Sequence, residues 1–120
     1  MSTILVIEDN KDNMDLIKEI LEDAGYEIFG TETAENGIEI LNRGIKVDII
    51  LMDVSLPKLD GYEATRRIKE NPRLADIPVI MLTAHAMEED RDKGFEAGCN
   101  DFLTKPVDEE LLLQTLAKYL

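Results

Sequence analysis

Four short apolar stretches of the chain each run into a residue that can do ionic chemistry. "ILVI" (4–7) is followed at once by Glu8 and Asp9, "DIILMD" (48–53) finishes on Asp53, "PVIML" (78–82) runs into Thr83, and "DFLT" (101–104) runs into Lys105 and Pro106. Three carboxylates, a hydroxyl and an ammonium are a set that suits a metal ion and a phosphate. Carboxylates brought close together raise one another's pKa, so a cluster of three is unfavourable without a cation among them. Magnesium fits best: it takes oxygen ligands, keeps several waters and often completes its shell with phosphate. Glu8 and Asp9 are therefore expected to hold Mg²⁺, Asp9 directly and Glu8 through water.

Whether these residues meet depends on the elements that carry them. The runs 4–7, 48–53 and 78–82 are almost continuously apolar, as strands buried on both faces are. "EIFGT" (27–31) and "DFLT" (101–104) are weaker and read as edge strands. Between the strands the apolar residues take helical spacing. In 12–25, Met14, Ile17, Ile20, Leu21 and Ala24 share a face, and Gly25 is placed to end the helix. Further helices are predicted over 33–44, with Thr33 as cap, over 61–72, over 87–98 and over 108–120. Five βα units in succession predict an α/β fold, a doubly wound five-stranded parallel sheet with helices on both faces. In such a sheet the site lies beyond the carboxyl ends of the strands, where strand order switches. Glu8, Asp9, Asp53, Thr83 and Lys105 all fall on that rim.

Each of these residues alone has a plainer reading. An acidic pair after a strand is usually a solvated loop, a lysine is usually a surface charge, and a threonine at a strand end is usually only that. Their convergence is the signal. Pro106 adds to it, because a cis Lys105–Pro106 bond would fix the direction of the lysine.

The chain has 120 residues, 44% of them hydrophobic and 32% charged, which is one ordinary globular domain over 1–120. With 13 basic and 26 acidic residues the formal charge is 13 − 26 = −13 and the pI is near 4.3. That charge disfavours nucleic acid and anionic membranes as partners and favours cations or basic protein surfaces. No apolar run approaches the roughly 18 residues of a membrane span, and no signal-peptide pattern opens the chain. The single Cys99 cannot form an internal disulfide. A cytoplasmic location is expected from these features.

The motifs "IEDN", "LMDVSLPKLDG", "PVIMLTA" and "FLTKP" together resemble the response-regulator receiver domain of two-component signalling. The spacings agree as well: 53 − 9 = 44, 83 − 53 = 30 and 105 − 83 = 22. The resemblance runs from Ile4 to the last helix and implies the flavodoxin-like strand order 2-1-3-4-5. It implies that Asp53 accepts a phosphoryl group from a sensor histidine kinase or a histidine phosphotransfer protein. Mg²⁺ would be held by Asp9, Asp53, the Ser55 backbone carbonyl and, through water, Glu8, and Lys105 would pair with a phosphoryl oxygen. The protein would catalyse only its own phosphorylation and dephosphorylation.

The same resemblance implies a switch in which the Thr83 hydroxyl turns to the phosphoryl group and an aromatic residue on the fifth strand rotates inward. Phe102 stands there, where the family often has Tyr. Ser55 and His85 would flank the path of attacking water and set the lifetime of the phosphoryl group. Output would pass through the face formed by the fourth helix, fifth strand and fifth helix to a downstream protein. The phosphodonor would dock on the first helix near Met14 and Ile17.

Three competing readings are weaker. A haloacid-dehalogenase hydrolase wants a second Asp two residues after the nucleophile, where this chain has Ser55. A flavodoxin-type flavin carrier wants a hydroxyl- and glycine-rich phosphate loop, and "EDNKDN" would repel a phosphate. A pseudo-receiver that binds without phosphorylation would not need the full acid, Thr and Lys set. No effector segment follows the fifth helix, so the chain reads as a stand-alone regulator or one part of a longer one; Met1 just before the first strand favours the former.

Overall fold

The computed structural model describes residues 2–84 and 87–120. Five strands and five helices alternate: β1 (Thr3–Ile7), α1 (Lys11–Asp23), β2 (Glu27–Thr31), α2 (Ala34–Asn42), β3 (Ile49–Asp53), α3 (Gly61–Glu70), β4 (Val79–Thr83), α4 (Glu88–Ala97), β5 (Asp101–Thr104) and α5 (Glu109–Tyr119). All strand pairs are parallel, in the order β2-β1-β3-β4-β5. The expected (βα)5 fold and strand order are both present, with β2 and β5 at the edges.

Strand side chains alternate between faces, and each face has its own helices. Leu5, Ile7, Ile50, Met52, Val79 and Met81 pack with residues of α2, α3 and α4, including Leu41, Ala64, Ile68 and Ala97. Ile4, Val6, Ile49, Leu51, Ile80 and Leu82 pack with Met14, Ile17, Ile20 and Leu21 of α1 and Leu112 and Leu116 of α5. Every residue of β1, β3 and β4 is buried, because both faces are covered. Edge strand β2 is mostly exposed, and its Glu27 and Gly30 fit that position.

Helix starts follow local side-chain chemistry. Asn10, Thr33, Asp60 and Asp108 each accept a hydrogen bond from the backbone N–H three residues on. The Asn10 cap starts α1 at Lys11, one residue before the expected segment 12–25. Ala24 is the C-cap of α1 and is exposed, so it does not join the buried face that the periodicity assigned it. Gly25 follows it at φ 89°, the left-handed conformation that ends a helix at little cost in glycine. On α5, Leu112 and Leu116 are buried whereas Leu111 and Leu120 are exposed, so its leucines do split between core and surface.

Burial separates the leucines energetically. Leu51→Ala should lower unfolding stability by about 3 kcal/mol, through lost burial and a cavity. Leu111→Ala, 46% exposed, should change it by less than about 0.5 kcal/mol. Urea unfolding monitored by circular dichroism reads both, and equal losses would contradict this core assignment.

Candidate functional site

Strand register builds the site. Ile7 lies beside Met52, so the next step brings Glu8 beside Asp53. Asp53 lies beside Leu82, which puts Thr83 one step further along. Thr83 in turn lies beside Thr104, and Lys105 follows. The Lys105 backbone N–H donates to the Thr83 carbonyl at 2.8 Å, which extends the ladder to the lysine itself. The Lys105–Pro106 peptide is cis.

Ligand atoms of Glu8, Asp9 and Asp53 all lie within 4.8 Å of one another. Glu8 and Asp53 are buried, while Asp9 is exposed at the mouth. Lys105 reaches between the buried pair: its Nζ is 2.7 Å from Glu8 Oε1 and 2.9 Å from Asp53 Oδ1. The Ser55 backbone N–H donates to Asp53 Oδ1 at 3.1 Å, and the Asn10 backbone N–H donates to Glu8 Oε2 at 3.1 Å. Buried Glu8 Oε1 has no aligned hydrogen bond, so its contact with the ammonium is an ion pair out of line.

One ammonium faces three carboxylates, a balance of 1 − 3 = −2 if all are ionised. A pair of like charges at such separations costs roughly 3 kcal/mol at an effective dielectric of about 20. The titration of the groups answers that cost. Burial, and then the hydrogen bond with Asp53, push the Glu8 carboxyl up to about 7. Asp53 goes the other way: burial would raise it, but the hydrogen bond with Glu8 and the Lys105 charge outweigh burial and hold it below the ordinary carboxylate value. Asp9 is raised, by partial burial and then by Asp53. Burial would lower Lys105, but Glu8 and Asp53 reverse this and hold it above its ordinary value. Asp53 is thus the carboxylate and Glu8 the group that shares its proton.

Residues that cluster at this rim fit a small oxygen-seeking cation. Two buried carboxylates and an exposed third supply a hard donor set, and the out-of-line Glu8 Oε1 is a buried acceptor that an ion could satisfy.

Other expected residues fall as follows. Thr83 is buried at the end of β4. Ser55 is exposed beside Asp53. Phe102 is 7% exposed, with its ring already inside the protein. It meets the edge of Phe95 at 5.5 Å between centroids and an interplanar angle of 63°. The ring is thus packed inside the protein against α4. His85 lies outside the described residues. Met14 and Ile17 are buried against the sheet, so they do not form a docking surface on α1; the exposed apolar residue there is Leu16.

Two supporting glycines escaped the sequence reading. A Cβ on Gly61 would collide with the Asp53 backbone carbonyl, and one on Gly94 would collide with the Phe102 ring. Gly61 follows the Asp60 cap, and "DG" before a helical period was a visible signal for it. Gly94 carries no local signal, since its role is set by a ring from another strand.

The raised Glu8 carboxyl fixes the sign of a pH effect. The folded state holds this proton more tightly than the unfolded chain, whose ordinary value is 4.5. Its contribution to stability is complete below that value and is lost as pH rises toward about 7. Metal-free protein should thus lose melting temperature between pH 5 and 8, and Glu8→Gln should lose less over the same interval. Parallel curves for the two proteins would contradict the assignment of the proton to Glu8.

Comparison with known proteins agrees with this geometry. Residues 4–117 match the family model for the response regulator receiver domain. The chain is 37% identical over 120 residues to the polar-differentiation response regulator DivK of Brucella anthropi, covering 98% of this chain and 95% of that one. Among solved structures, a response regulator from Chloroflexus aurantiacus superimposes with a TM-score of 0.94 at 30% identity, over 98% of this chain and 96% of the other. The receiver domain of a sensor histidine kinase from Pseudomonas aeruginosa, solved with a magnesium ion in its active-site cleft, gives a TM-score of 0.91 at 36% identity, again over 98% and 96%. The chain belongs to the response-regulator receiver family of two-component signalling.

Proposed function

We propose that Asp53 accepts a phosphoryl group from the phosphohistidine of a sensor histidine kinase or a histidine phosphotransfer protein, with Mg²⁺ bound, and that this changes the protein surface the chain presents. The observation that carries the reading is the buried Asp53 carboxyl group, met by the Lys105 ammonium and the Ser55 N–H at the open end of the sheet. In the reaction an Asp53 oxygen forms a bond to phosphorus as the bond from phosphorus to the donor imidazole nitrogen breaks. The electron pair stays on that nitrogen, which takes up a proton. Carboxylate nucleophiles of this kind form aspartyl phosphates.

Glu8, Asp9, Asp53 and the Ser55 carbonyl would hold the metal, and bound Mg²⁺ would offset charge on the transferring group. Lys105, between Glu8 and Asp53 in the resting protein, would move its charge to a phosphoryl oxygen. Such transfer depends mainly on positioning and charge compensation. The chain would act on no substrate beyond its own phosphoryl group. Ser55, exposed beside Asp53, leaves water a path to the acyl phosphate, and with His85 it would set the phosphoryl lifetime.

Thr83 would turn its hydroxyl to the new phosphoryl group, and Phe102 would pass the change to α4. With the ring already inside, the motion open to it is a shift of Phe95 and Gly94, both of which it touches. Helix α4 buries only Gly94 and Ala97, and a helix with so little buried surface moves at low cost. Exposed Met87 at the N-cap of α4, Phe95 on α4 and Leu111 on α5 support the α4-β5-α5 face as the surface a downstream protein reads. The phosphodonor would dock at the opposite side, around Leu16 and the loops beside Asp53. No helix among the described residues is long and apolar enough to cross a membrane, and a cytoplasmic partner set suits the reading.

Mass spectrometry after incubation with acetyl phosphate and Mg²⁺ tests it. The wild type should gain one base-labile phosphoryl group per chain, and chelation of the metal should abolish the gain. Asp53→Asn should remain folded and gain none. Undiminished labelling of Asp53→Asn would overturn the reading.

A further inference from the structure

A second concavity opens at the amino ends of β3 and β4, one strand length from the carboxylate cluster. Its volume is about 280 Å³. Its apolar lining comes from Leu41 at the end of α2, Ile45 and Val47 before β3, and Leu74 and Ile77 before β4. Leu41, Val47 and Leu74 belong to the buried core, so the floor of the cavity is the core itself.

The charged groups in the lining are two cations, Lys46 and Arg73, and no acid joins them. Both are exposed, and neither has an ion pair among the described residues. In a chain with 26 acidic and 13 basic residues, an acid-free cavity flanked by two unpaired cations is a local reversal of the overall field.

Both walls are held by the backbone. The turn after α3 is closed by Leu74 N–H and Ala75 N–H donating to the Asn71 carbonyl and by Ile77 N–H donating to the Leu74 carbonyl. Asn71 Oδ1 accepts from the Arg73 N–H at 3.0 Å, directly beside the cavity. Lys69 Nζ donates to the Ala75 and Ile77 carbonyls at 3.1 and 2.6 Å and ties the turn to α3. On the other wall Gly44, at φ 83°, donates to the Leu41 carbonyl. The concavity is thus preformed, which lowers the ordering cost of binding.

We propose that this cavity binds a small amphipathic anion, an apolar body carrying one carboxylate-like head. Apolar floor and cationic rim match the two ends of such a molecule. The volume sits at the lower edge of the roughly 300–1,000 Å³ range of small-molecule sites, which suits a compact ligand rather than a docked helix. Two cations and no acid in the lining disfavour a divalent metal there.

The test is amide chemical-shift mapping on the full 120-residue chain with decanoate as probe. Acetate shares its charge without the apolar body, and decyltrimethylammonium shares the body with the opposite charge. Decanoate should give saturable shifts confined to residues 41–47 and 71–77, and neither control should. The double variant Lys46→Glu, Arg73→Glu changes exposed loop side chains, so it should keep its spectrum elsewhere and bind decanoate at least about tenfold more weakly. No saturable shift in those segments, the same shifts with the cationic amphiphile, or unchanged affinity in the double variant would each overturn the proposal.

Discussion

The ammonium of Lys105 stands between the buried carboxyl groups of Glu8 and Asp53, and the organisation of the carboxylate end of the sheet follows from that contact. Removing two carboxylates and an ammonium from water is costly, and their attraction repays it only where the geometry is good. Here it is incompletely repaid. Burial, and then the neighbouring Asp53, push the Glu8 carboxyl up to about 7, while Glu8 and Lys105 hold Asp53 below the ordinary carboxylate value. The same imbalance that would be a defect in a structural ion pair leaves room for a further cation.

Such a cluster persists only because the surrounding fold determines it. Strands β1, β3 and β4 are buried on both faces, and the parallel ladder fixes the level at which each ends. A one-residue slip of β1 against β3 would move Glu8 off Asp53 and turn every side chain of β1 to the other face. Tight approach at Gly61 brings the start of α3 against the Asp53 carbonyl. Helix α4 is different. Its acidic first turn suits the helix dipole, yet its hold on the sheet runs through two small residues and the neighbouring aromatics. Deep burial of the inner strands and shallow burial of α4 are two outcomes of where apolar residues were placed.

Much of this was legible in the sequence, for identifiable reasons. Continuous apolar runs marked the inner strands because both of their faces are covered, and the weaker runs at 27–31 and 101–104 marked the edges because one side of each is open. Glu8, Asp9, Asp53, Thr83 and Lys105 could be placed together because parallel strands all point their carboxyl ends one way. What could not be read was the contact between distant segments. The sequence shows Lys105 near a site but not that its charge divides between Glu8 and Asp53. It shows Phe102 on a strand but not Gly94 making space for the ring. Helical period groups Ala24 with the buried face of α1, yet the cap geometry lifts it into solvent. Period also says nothing of depth, and so Met14 and Ile17 had to be seen in place before Leu16 emerged as the exposed residue of α1.

The central claim is that the Glu8, Asp9 and Asp53 cluster is a cation site only partly satisfied by Lys105. Isothermal titration calorimetry of Mg²⁺ into the metal-free chain measures this directly, with the double variant Asp9→Ala, Asp53→Asn as reference. The account predicts saturable binding of one ion per chain in the wild type and none in the double variant. Absence of saturable binding in the wild type, or equal binding in the variant, would contradict it.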